Sequence, residues 1–184
     1  FTLTAIETQL AQDAFALGQN EEGSCWLQAA FAHQPQGAIS RAWVTLADLP
    51  LATVAAAQAT GDWTQAIYWV AQTLAEAQQR HLPVYWPQLQ IAQAQGYLAI
   101  GHLDQAESTL QAALALAESH QLIPVLWQAH SMLGALYKQQ QHPQASQHRQ
   151  EAIAHLRTLA AALPYPHLRH TFLTTAAVQA TLIL

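Results

Sequence analysis

From Leu103 to Ala117, apolar side chains fall at Leu103, Ala106, Leu110, Ala113, Leu114 and Ala117. Steps of three and four residues lay one apolar stripe along a helix. Leu89, Ala92, Gly96 and Ile100 repeat the spacing, with Gln88, Gln90 and Gln95 between them, and the stretches Gln128–Lys138 and Pro143–Leu163 repeat it again. Alternating β-branched runs and Asn-Gly or Asp-Gly turns are missing, so the pattern predicts helices and no strands. Pro83, Pro87, Pro124, Pro143, Pro164 and Pro166 fall between these stretches or in their first turns, where proline costs no helical hydrogen bond.

The stretches are punctuated at a regular interval. Gly18, Gly61, Gly101 and Gln141 each follow one helical segment and precede another, at separations of 43, 40 and 40 residues. Self-similarity at such a period is the mark of a repeat array. It predicts four helix pairs: 3–17 with 21–33, 38–59 with 62–80, 84–100 with 103–119, and 125–140 with 143–162. Pro50 interrupts the second pair, which implies a helix at 38–48, a kink or restart at Pro50, and helix again to Ala59. A last helix at about 166–181 would cap the open end. Since neither helix of a pair is apolar all round, pairs must stack to bury their faces, and 1–184 is expected to form one domain.

Composition narrows the function. The net charge is −5 and only six residues are Lys or Arg. Those six are scattered (Arg41, Arg80, Lys138, Arg149, Arg157, Arg169), so no basic stripe is available for nucleic acid or anionic lipid. Glutamine takes the place of most surface charge. No run approaches the ~18 apolar residues of a membrane span. A single cysteine, Cys25, allows neither an internal disulfide nor a CxxC pair, which fits a reducing cytoplasm. A start at Phe1 without a basic-then-apolar leader suggests a piece of a longer cytoplasmic chain.

Aligned on a common frame, the repeats resemble the tetratricopeptide family. That family has a small residue and then an aromatic in the first helix, a turn glycine, and two alanines in the second helix. The third repeat supplies Ala94, Tyr97, Gly101, Ala106 and Ala113, and the fourth supplies Gly134, Tyr137, Gln141, Ala145 and Ala152. The second keeps Gly61 and Ala66 but has Val54 and Ala57 at the small and aromatic places; the first keeps Gly18, with Gly23 and Ala30 for the alanines. The interval exceeds the family's usual ~34 residues. That length, and the closing Leu159-Ala160-Ala161-Ala162-Leu163-Pro164-Tyr165-Pro166-His167-Leu168-Arg169-His170-Thr171-Phe172-Leu173, is similar to the C-terminal helical repeats of bacterial signalling ATPases, cyclase-linked ATPases and LuxR-type regulators.

The resemblance implies an all-α, right-handed superhelix of about four helix pairs with a capping helix, binding a protein or peptide. Its first helices would line a concave face carrying Thr8, Gln12 and Phe15; Asp48, Leu51 and Gln58; Gln88, Ile91, Gln95 and Leu98; and Gln128, Ser131, Ala135 and Lys138. Such a lining is amide-rich and nearly uncharged, unlike the Lys/Arg/Asn cluster of repeat proteins that clamp carboxylate tails. Homo-oligomers through repeat stacking are a further expectation.

Other chemistry is weaker. His148, Glu151 and His155 stand on one helix face and invite a metal, with His167 and His170 as conceivable additions. Without an HExxH-type or Cys/His spacing, the expectation is solvated side chains and no metal or cofactor. Cys25 has no signature of a nucleophile, and Gly18, Gly61 and Gly101 are isolated turn residues rather than a phosphate loop. No catalytic residue is assigned and no enzyme activity is expected. Trp86 and Trp127 occupy matching places at the start of two first helices, where packing is the plainer role. An inter-repeat pocket lined by aromatics and histidines, holding a small molecule or metal, is the alternative.

Overall fold

The computed structural model describes residues 3–33 and 48–183. The predicted break at 35–37 and most of the predicted helix at 38–48 lie outside the described residues. Every regular element among those described is helical, as the patterning requires. The structure groups into two compact units, Phe1–His102 and Leu103–Leu184, with the boundary inside the third predicted pair.

The first unit contains α1 (Leu3–Ala16), α2 (Asn20–Ala32), α3 (Asp48–Thr60), α4 (Thr64–Gln79), a 3-10 turn at Pro83–Tyr85 and α5 (Trp86–Ala99). Pro50 lies in the first turn of α3, where its missing N–H is not needed. Ala11, Phe15, Leu27, Ala30, Leu49 and Ala52 form one core cluster. Val54, Ala57, Ala66, Val70 and Ala92 form another, and Leu74, Ala77 and Leu89 a third. Alanine dominates these seams because it lets helix backbones approach closely. A polar clasp ties the start of α1 to the end of α2: the buried carboxylate of Glu7 meets His33 Nδ1 at 2.8 Å, and Thr4 donates to the His33 carbonyl.

The second unit contains α6 (Leu103–Ser119), α7 (Ile123–Gln139), α8 (Ala145–Ala162), α9 (Pro166–Leu173) and α10 (Ala176–Ile183). Ala106, Leu110, Ala113 and Ala117 are the buried face of α6, the stripe read from the sequence. Trp127, Leu156 and Val178 form the core on which α9 and α10 rest through Phe172, Leu173 and Leu182. Gly134 brings α7 and α8 together, since a Cβ there would stand 3.3 Å from the backbone nitrogen of Arg149.

The predicted capping helix at 166–181 is corrected to two short helices broken at Thr174-Thr175. Thr174 donates its hydroxyl to the His170 and Thr171 carbonyls, Thr175 to Phe172, and the Gln179 amide to Leu173. The hydroxyls thus supplement the backbone bonds of the last turn of α9, and the Gln179 side chain takes the Leu173 carbonyl. Arg169, from the closing motif, donates to the Ala160 and Leu163 carbonyls and caps α8.

Three of the four punctuation points share one geometry; at Gly61 (φ 82°) the next N–H, of Asp62, bonds to the Thr60 hydroxyl instead. After α1 the N–H of Gln19 bonds back to the Ala14 carbonyl, and His102 to Tyr97 and His142 to Tyr137 follow the same six-residue closure. The residue before each is left-handed: Gly18 at φ 75°, Gly101 at 80° and Gln141 at 55°. Gln141 therefore pays a side-chain strain that glycine escapes. Gln141→Gly is expected to raise stability by about 0.5–1 kcal/mol in urea titration. A loss of stability would mean that this turn is not left-handed in solution.

Candidate functional site

Most of the concave lining expected from the resemblance is used internally. In the first unit Phe15 is only 7% exposed, its ring filling the space beside Gly23, and Ile91 is 3% exposed. Both are corrected from partner-contacting anchors to core residues, because the faces that carry them are the faces on which neighbouring helices close. Leu51 is half-buried against two core clusters, and Leu98 is also half-buried. Thr8 is buried, with its hydroxyl turned back to the Thr4 carbonyl, and Gln12 donates its amide to the Asp48 carbonyl at 3.1 Å. Burial raises the pKa of the Asp48 carboxyl. Gln58 and Gln88 are exposed and Gln95 is half-exposed. In the second unit Gln128 is half-buried, Ala135 and Lys138 are exposed, and Ser131 is hydrogen-bonded to Thr181 at 2.7 Å.

The two tryptophans belong to the interior. Trp127 is in the core beneath α9 and α10, and Trp86 packs on the Leu74–Leu89 cluster with its indole nitrogen buried and unpartnered. Cys25 is exposed.

The histidines of the second unit behave differently from the solvated face expected of them. His148 and His155 on α8 face His130 on α7, a residue the sequence reading did not single out. Its place was legible: Leu126, His130, Leu133 and Tyr137 form a single stripe of buried positions on α7. His130 Nδ1 lies 2.9 Å from His148 Nδ1, so one ring donates and the other accepts. The His155 ring stacks on His130 at 5.6 Å, and Tyr137 lies edge-on to His148 at 5.3 Å and tilted to His142 at 4.5 Å. Tyr137 in turn donates to Glu107 at 2.7 Å and accepts from Gln111, both on α6. Burial, together with the neighbouring His148 and His155, lowers the His130 pKa to about 4. Burial also lowers that of His148, against the opposing pull of Glu151. At the centre of the seam the charged forms of His130 and His148 are both disfavoured. Among the described residues no group of three or more His, Cys, Asp or Glu is arranged to hold a metal, and His167 and His170 stand exposed on α9.

On the same helix pair a cleft of about 430 Å³ opens between α7, α8 and α10. Gly134 and Ala135 of α7 and Ala145 and Ile153 of α8 supply apolar wall. Lys138, Arg149, Ser131, Ser146, Gln150 and Thr181 supply the polar side chains, and among the described residues no Asp or Glu lines it. The pocket expected from sequence was to be lined by aromatics and histidines; the observed one is lined by cations, hydroxyls and small residues. Arg149 is steadied by a hydrogen bond from a terminal nitrogen to the Leu182 carbonyl at 3.1 Å, while its Nε is buried without a partner.

No protein-family model, curated protein sequence or solved structure matches the chain.

Proposed function

We propose that the protein is a non-catalytic, tetratricopeptide-like repeat scaffold that binds a protein or peptide partner within a larger cytoplasmic bacterial signalling or transcription-regulating protein. The finer architecture in this reading is a right-handed superhelix of helix pairs. Its support is the left-handed closure recurring after α1, α5 and α7, together with the small-residue seams at Ala52, Ala92, Ala106 and Gly134. For partner binding, the carrying observation is the exposed amides of Gln58 and Gln88, with Gln95 half-exposed, on α3 and α5 of the first unit. Amides that can both donate and accept suit the backbone of an extended or helical segment. Oligomerisation by stacking of repeats belongs to the same proposal.

The test uses a partner recovered with the full-length protein. Gln88→Ala combined with Gln95→Ala should weaken its binding while leaving the melting curve unchanged. Raising salt from about 50 to 500 mM should change Kd by less than about tenfold, because so little charge lies on this face. Unchanged binding by the double variant, or collapse with salt, would remove the amide face from the reading.

The second reading is a regulatory domain that binds a small molecule. The cleft between α7, α8 and α10 favours it, being concave, mostly apolar and furnished with a few polar groups.

A further inference from the structure

We propose that the cleft between α7, α8 and α10 binds a small organic carboxylate with an aliphatic body, the carboxylate held by Arg149 and Lys138. The inference rests on the small-molecule reading and names its ligand class. The charge pattern is the first argument. Acids outnumber Lys and Arg eleven to six over the chain, yet two of the six cations line this cleft and, among the described residues, no Asp or Glu does. A recess that gathers positive charge in an acidic protein selects anions over the cations and neutral solutes around it.

Arg149 is the second argument. Its guanidinium is anchored by the bond to the Leu182 carbonyl, which leaves the buried Nε as a donor without an acceptor. A buried donor of this kind gains when a ligand oxygen reaches it. A carboxylate matches the side of a guanidinium in the fork geometry that an ammonium or an amide cannot reproduce. The walls are the third. Gly134, Ala135 and Ile153 offer aliphatic surface to a hydrocarbon chain, and the missing side chain of Gly134 allows the close approach of α8 that places Arg149 beside it.

The experiment titrates the whole chain with hexanoate, hexanamide and hexylamine, following the backbone amide signals of Gly134, Ile153 and Thr181 by NMR. Hexanoate should shift them saturably, and hexanamide should bind at least about tenfold more weakly. Arg149→Gln should abolish that preference. Lys138→Gln, at an exposed position that spares the fold, should weaken hexanoate about three- to tenfold and leave hexanamide unchanged. If hexanoate and hexanamide bind in the cleft equally well, the carboxylate assignment falls while the small-molecule reading stands. If none of the three probes shifts these signals, both fall. Shifts confined to residues outside α7, α8 and α10 would likewise overturn the site.

Discussion

Acidification from pH 7 to pH 4 is expected to destabilise the Leu103–Leu184 unit by about 3 kcal/mol through His130 alone, at about 1.4 kcal/mol for each pH unit between the two pKa values. The sign follows from the depressed pKa. In the unfolded chain His130 titrates near 6.5, whereas in the folded unit it holds out until about 4. Above pH 6.5 it is neutral in both states and the native seam is fully stable. Between 6.5 and 4 the unfolded chain binds the proton and the folded one does not, so stability falls as pH falls. The neighbouring His148 and His155 reinforce the direction, and Glu151 opposes it only at His148. Protonating His130 places a charge 2.9 Å from His148 Nδ1 and under the stacked His155, while Glu151 and Glu107 bear on His148 and Tyr137 respectively. His130→Leu removes the titrating ring from a position only 8% exposed. Urea titrations at pH 7 and pH 4.5 should then differ much less for the variant than for the natural chain. An equal loss in both would assign the acid sensitivity to the carboxylates instead.

Truncating Leu156 to alanine should cost about 2–5 kcal/mol. Leu156 is 1% exposed and sits between Trp127 of α7 and Val178 of α10. Its removal leaves a cavity at the point where α9 and α10 meet the α7–α8 hairpin, and two eight-residue helices have little intrinsic stability with which to compensate. Leu168→Ala provides the contrast. That residue lies on α9 in the closing motif but is 42% exposed, and its loss should cost less than about 0.5 kcal/mol. Thermal melts of the two variants decide the point. Equal costs would show that α9 and α10 do not rest on the Trp127–Leu156–Val178 cluster.

The helices, the turns between them and the burial of alanine faces are determined by the sequence itself. A three- and four-residue apolar spacing can bury only as a helix, and residues near Gly18, Gly61 and Gly101 can end one cheaply. Local rules of this kind need no knowledge of the neighbours. The partition of side chains between core and surface on the first helices did need it. Phe15 and Ile91 lie on faces that amphipathic patterning alone leaves open to either role, and only the positions of Gly23 and the adjoining helices turned them inward.

Tertiary structure alone decided the chemistry of the second unit. His130 and His148 are 18 residues apart, on different helices, and no spacing rule joins them; the close approach at Gly134 does. The break at Thr174-Thr175 was likewise hidden, because threonine is tolerated in helices and α10 packs through Val178 on Trp127 and Leu156, residues far from it in the chain. Arg149 read as one scattered cation of six. It became half of a charged recess because α10 crosses α8 and lends it the Leu182 carbonyl, an alignment set by packing between helices and not by the order of residues within any one of them.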